Sequence, residues 1–174
     1  MRLFLFMPQR FGNTLGSEVI VMYKFLGIAF AVILLLFCAP TSDFLGNLPS
    51  ESGRVSFCVN ERVEILDANI IKNGSGYIIS APTNRARVVQ NALRPEIIQG
   101  VTYMSTQKID ISEYLVRIGA TIYEEENIDG MHFICAFSPK FSRFVSYNGQ
   151  KINIQIAISP ELTTIGYPLI LCGA

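Results

Sequence analysis

The sequence predicts an α+β fold: an antiparallel β-sheet with helices packed on one face, preceded by an N-terminal hydrophobic helix. Three observations predict it. Ile152, Ile154, Ile156 and Ile158 alternate with Lys151, Asn153, Gln155 and Ala157, the period-two pattern of a strand with one buried face. Ile111, Tyr114, Leu115 and Ile118 recur at i, i+3, i+4 and i+7, the apolar stripe of a helix. Phe25 to Ala39 is an apolar run without a charge.

That run governs the N-terminal organisation. Read from Met22, the order is Met-Tyr-Lys, an apolar stretch, then Pro40-Thr41-Ser42-Asp43. A signal peptide has this order, with an h-region of about 7–15 residues, whereas a spanning helix takes about 20. Both a cleaved signal and an uncleaved anchor fit residues 22–40. The residues around Pro40 meet the small-residue cleavage rule only loosely. Phe37 before Cys38 excludes a lipidated cysteine. Lys24 predicts a cytoplasmic N-terminus with the remainder exported. Residues 1–21 show no periodicity or capping pattern. Glu18-Val19 can be encoded as GAG-GTG, like a ribosome-binding sequence a few codons before Met22. The expectation is that 1–21 is a mis-translated extension.

Residues 41–53 are rich in Ser, Pro, Gly and Asn and read as a linker. Residues 54–174 then form one domain, long enough for a single core. Arg62 to Ile71 and Tyr77 to Ser80 are expected as strands around the Asn73-Gly74-Ser75-Gly76 turn. Thr83 to Leu93 is expected as a helix between Pro82 and Pro95, burying Val88, Val89, Ala92 and Leu93. Gly100 to Ser105 is a short strand. The second helix follows, with Asp110 as N-cap, Glu113 three residues on and Gly119 as its stop. Thr121 to Ile128 and Met131 to Phe137 form a hairpin about Asp129-Gly130. Phe144 to Tyr147 and Lys151 to Ile158 repeat the pattern about Asn148-Gly149. Thr164 to Leu171 closes the chain as a strand, placed at an edge because Gly166 and Pro168 interrupt it.

The helix before Gly119, the strand ending Ala136-Phe137-Ser138, the segment Asn153-x-Gln155-Ile156-Ala157 and the turn Thr164-Ile165-Gly166-x-Pro168 together resemble the YwmB family over about Gly100 to Leu171. Those are exported proteins of Gram-positive bacteria with a fold described as similar to the TATA-box-binding protein. The resemblance implies export and a cell-envelope setting. It does not imply DNA binding, because fold does not carry function.

Charge agrees on that last point. The chain has 14 basic and 14 acidic residues, and setting aside Arg2, Arg10, Lys24 and Glu18 leaves a slightly acidic remainder, without the basic face that nucleic acid demands. No nucleic acid is expected as a partner. The catalytic search is negative: no GxSxG, HExxH, phosphate-binding glycine loop or EF-hand pattern occurs, so no cofactor and no metal are expected. His132 is the only histidine, in a strand and facing opposite to Met131 and Phe133. Glu124, Glu125 and Glu126 alternate across two faces and read as a solvated edge rather than a cation site. Arg85, Arg87 and Arg94 read as the wet face of the first helix. Phe133, Phe137, Phe141 and Phe144 read as core first and as a ligand pocket second. Cys58, Cys135 and Cys172 show no zinc spacing; buried free thiols are the first reading and a disulfide among them the second. Asn153 and Gln155, on the polar side of the isoleucine strand, are the candidate binding surface.

The functional expectation is an exported or membrane-anchored, non-catalytic binding module of the bacterial envelope, its partner a protein or envelope component, with membrane attachment through Phe25–Ala39 if that segment is not cleaved. The alternatives are an exported hydrolase-like enzyme using His132, or an envelope ligand sensor. The enzyme reading requires a concave pocket at His132 with an acid or hydroxyl in reach.

Overall fold

The computed structural model describes residues 44–172; the expectations for the extension and the apolar run lie outside the described residues. Among the described residues, no helix is long and apolar enough to cross a membrane. The described residues form an α+β fold, mostly antiparallel sheet with two α-helices.

In chain order the elements are β1 (Arg54–Val59), β2 (Asn69–Asn73), β3 (Gly76–Pro82), α1 (Thr83–Ala92), β4 (Ile98–Ser105), α2 (Ile111–Arg117), β5 (Thr121–Ile128), β6 (Met131–Phe137), β7 (Val145–Tyr147), β8 (Gln150–Ile152), β9 (Ile154–Ile158) and β10 (Thr163–Tyr167). Eight strands form one sheet in the order β2-β3-β1-β4-β10-β9-β6-β5, and β7 pairs only with β8. Every neighbouring pair is antiparallel. The N-terminal half thus supplies four adjacent strands and the C-terminal half the other four, joined where β4 meets β10.

Period-two alternation divides the sheet into two faces. Val55, Phe57, Ile79, Tyr103, Ile134, Ile154, Ile156 and Ile165 point to the inner face. There they share one core with Ala86 and Val89 of α1 and Tyr114 and Leu115 of α2. In α1 the buried stripe is Ala86, Val89 and then Leu93, whereas Val88 is 54 % exposed; the helix is rotated relative to the expected face. α2 starts where its cap predicts: Asp110 Oδ1 accepts the Glu113 backbone N–H at 2.9 Å. It ends at Gly119, whose φ of +63° is the left-handed stop that glycine favours.

Three expected placements are corrected and one strand is added. The stretch 62–68 is not strand; β2 begins only at Asn69, and Leu66 is 84 % exposed. The added strand is β1, for which no strand was expected and whose Val55, Phe57 and Val59 are among the most deeply buried residues. The segment 41–53 is not simply a linker, because Phe44 is buried and stacks on Tyr167 with ring centroids 5.4 Å apart, beside Phe141. Finally, β10 lies centrally between β4 and β9 rather than at an edge. Gly166 is tolerated there because the chain turns back across it: a Cβ would fall on the backbone of Leu169 and Ile170. Residues 168–172 therefore lie over the outer face of the sheet, where Leu171 occupies the space above Gly100.

Candidate functional site

The isoleucine strand is interrupted at Asn153, which separates β8 from β9. Ile154 and Ile156 enter the inner core and Ile158 packs against it. Ile152, though buried, instead pairs with Val145 in the small hairpin and faces an outer pocket. The expected single face of four isoleucines is thus split, because the extra residue at Asn153 shifts the alternation by one.

Asn153 is correspondingly not on a surface. It is fully buried. Its Oδ1 accepts the Ser138 N–H at 2.8 Å, and its Nδ2 donates to the carbonyls of Ser138 at 2.8 Å and Phe141 at 3.1 Å. This residue is structural, and the binding surface expected of it is corrected on that ground. Gln155 does reach an opening. It lines the outer pocket, and its Oε1 accepts the Ile170 N–H at 3.1 Å.

The outer pocket has a volume of about 420 Å³. The β7–β8 hairpin forms one wall with Val145 and Tyr147, Leu169 another, and Phe133 and Cys135 of β6 the floor. Glu124 and Glu126 of β5 stand at its side. Register explains their convergence: Glu124 is opposite Cys135 and Glu126 opposite Phe133. No ion-pair partner for either carboxylate occurs among the described residues. Burial, with the two carboxylates, pushes the Cys135 thiol up from its ordinary value.

Glu125, between them, points to the opposite face, as the alternation requires. There it meets His132, with Nε2 and Oε1 2.7 Å apart. The pair borders a cleft of about 1050 Å³ that runs between the β4–α2 connection and residues 159–163. Both side chains are substantially exposed, at 34 % and 53 %. No hydroxyl or thiol bonds to His132 among the described residues, so the histidine has an acid in reach but no positioned nucleophile.

The remaining candidates disperse. Arg85 pairs loosely with Asp67 at 3.7 Å, and Arg94 pairs with Glu61; they do not converge on one point. Phe141 is core as expected, Phe133 belongs to the outer pocket, and Phe144 is exposed with Lys151 Nζ 4.4 Å from its ring centroid. No cluster of three metal-ligating side chains occurs among the described residues. The sequence analysis names Gln155, Glu124, Glu126, Phe133 and Cys135 separately but does not bring them together in one pocket. The alternation of Glu124, Glu126, Phe133 and Cys135 was a usable signal; the fold-over of the hairpin was not visible.

No family model, curated protein or solved structure matches the chain.

Proposed function

We propose that the chain is an exported binding module of a Gram-positive-type cell envelope, related to the YwmB proteins it resembles, and that it binds through the outer pocket. Residues 22–40 direct export and either anchor the domain or are removed. The observation that carries the binding reading is the pocket itself: an apolar, aromatic-lined recess flanked by two carboxylates without cationic partners. Such a recess suits an apolar group that bears a positive charge, since Phe133 and Tyr147 line it with aromatic rings and Glu124 and Glu126 supply the counter-charge. Nucleic acid is not the partner in this reading.

Titration with hexylamine, hexanol and hexanoate tests the site. Saturable binding of the amine, weakened at least severalfold by Glu124→Gln with Glu126→Gln, supports it. Equal binding of all three compounds removes the charge preference, and binding of none removes the pocket. Export is tested separately by reporters fused after Gly53, expected to be active only outside the cytoplasm. Signal confined to the cytoplasm would end that part of the reading.

The His132–Glu125 pair in its cleft favours a second reading, an exported hydrolase. It predicts that His132→Ala abolishes an esterase- or amidase-type activity while leaving amine binding at the outer pocket unchanged.

A further inference from the structure

The C-terminal segment brings Cys172 back onto the outer face of β1. Its Sγ lies 3.7 Å from the Ser56 carbonyl oxygen and 3.5 Å from the Thr102 hydroxyl. Ser56 and Thr102 face each other across the β1–β4 ladder. Cys58, two residues along β1, shares the Ser56 face and stands opposite Gly100, whose missing side chain leaves room for Leu171. Both thiols are buried on the same outer face of β1, Cys172 against Ser56 and Cys58 two residues along. Cys135 is excluded from this pairing. It lies on β6, four strands from β1 in the sheet, or roughly 19 Å at ordinary strand spacing. A disulfide needs Cα atoms within about 7 Å.

We infer that Cys58 and Cys172 form a disulfide in an oxidising compartment, fastening the C-terminal segment across the sheet. That such oxidation occurs in the cell rests on the export reading; the pairing itself does not.

The environment sets the order of the chemistry. Cys58 is held within β1 between β3 and β4, whereas Cys172 lies on the segment after β10 that crosses the sheet outside any strand. Residues 168–172 lie over the sheet rather than within it, so this segment can lift to meet an oxidant while β1 stays paired. Cys172 Sγ, as thiolate, attacks one sulfur of a low-molecular-weight or protein disulfide, whose other sulfur leaves as a thiolate. Cys58 then loses its proton and attacks Cys172 Sγ, expelling the second oxidant sulfur. The cysteine pair loses two electrons and two protons, and the oxidant becomes two thiols. Nearly the whole folded domain lies inside the closed loop, so the cross-link constrains the unfolded chain strongly. The fastened segment includes Leu169, a wall of the outer pocket, and Ile170, held by Gln155. The disulfide therefore fixes one side of that pocket.

The test uses the full chain and oxidised glutathione. Non-reducing digestion and mass spectrometry are expected to give a Cys58–Cys172 linked peptide, with Cys135 alkylatable. Oxidation raises Tm by roughly 10 °C for a loop of this size. Dithiothreitol reverses the rise, Cys135→Ser keeps it, and Cys58→Ser or Cys172→Ala abolishes it. If Cys58→Ser fails to fold, Cys172→Ala alone decides, since Cys58 must then lack an internal partner. Linkage of either cysteine to Cys135 or Cys38, or a stable Cys172–glutathione adduct beside a reduced Cys58, overturns the pairing. Formation with glutathione but reduced thiols in protein recovered from cells overturns the cellular oxidation and leaves the pairing standing.

Discussion

The side chain of Asn153 grips both backbone polar groups of Ser138, accepting from its N–H and donating to its carbonyl, each at 2.8 Å. Ser138 in turn donates its hydroxyl to the Ile118 carbonyl at 2.6 Å. One buried amide thus ties the break between β8 and β9 to the end of β6, and through Ser138 to the C-terminal end of α2. Asn153→Ala removes the partner of the Ser138 N–H and of the Phe141 carbonyl, while the Ser138 carbonyl still accepts from the Phe141 N–H. With each orphaned group costing about 1–3 kcal/mol, a destabilisation of roughly 2–5 kcal/mol is expected in urea unfolding. Asn153→Asp should not rescue it, because a carboxylate faces the carbonyls of Ser138 and Phe141 without a proton to donate. A loss below that of an exposed substitution would show that Ser138 does not depend on the clamp.

Phe44 tests where the domain begins. Its ring packs against Tyr167 and Phe141, so Phe44→Ala should cost about 3–5 kcal/mol, the usual range for a buried phenylalanine. The same substitution in a true linker would be silent, and equilibrium unfolding of a domain starting at Thr41 separates the two.

At α2, the cap and the stop should each be worth about 1 kcal/mol. Asp110→Ala removes the acceptor for the Glu113 N–H. Gly119→Ala meets no neighbouring atom within 4 Å, so its whole effect is the left-handed φ. Matching losses, additive in the double variant, are expected from chemical denaturation. A neutral Gly119→Ala would mean that the helix end rearranges without cost.

Ile154→Ala should cost roughly 2–5 kcal/mol, because its side chain is fully buried in the inner core. Leu66→Ala, at a position 84 % exposed, should stay within about 0.5 kcal/mol. The contrast between two aliphatic truncations checks the face assignment, measured as the shift in denaturation midpoint at constant slope.

The parts of the fold read from sequence are those written in local signals. Asp110, Glu113 and Gly119 placed α2, and Asp129-Gly130 placed the β5–β6 turn. Ile154 and Ile156 were assigned to the core by their period. What was misread depends on distant chain. Val55, Phe57 and Val59 alternate, but a six-residue strand beside a polar segment carries little weight until β3 and β4 flank it. Gly166 and Pro168 argued for an edge by the local rule, whereas the glycine is needed because residues 169–170 cross above it. Asn153 is polar by composition and buried by pairing with Ser138, fifteen residues earlier. The outer pocket combines three such non-local events: the β5–β6 register, the folded-over hairpin and the returning C-terminal segment.

Gly166→Ala tests that return directly. β10 is hydrogen-bonded on both sides, to β4 and β9, so the strand cannot move away from an added methyl. A Cβ at Gly166 would fall on the Leu169 and Ile170 backbone, and residues 168–172 must lift instead. Overpacking of this kind costs about 1–3 kcal/mol. The decisive readout is local. In reduced protein, Cys172 is fully buried and should react slowly with a maleimide. In Gly166→Ala its labelling should accelerate by about tenfold or more, since 1.4 kcal/mol of lost docking corresponds to a factor of ten in the open population. The inner core should meanwhile keep its protection from hydrogen exchange, notably at Tyr103 and Ile156. Unchanged labelling of Cys172, with a stability loss spread through the core, would show that the sheet yields rather than the segment crossing it.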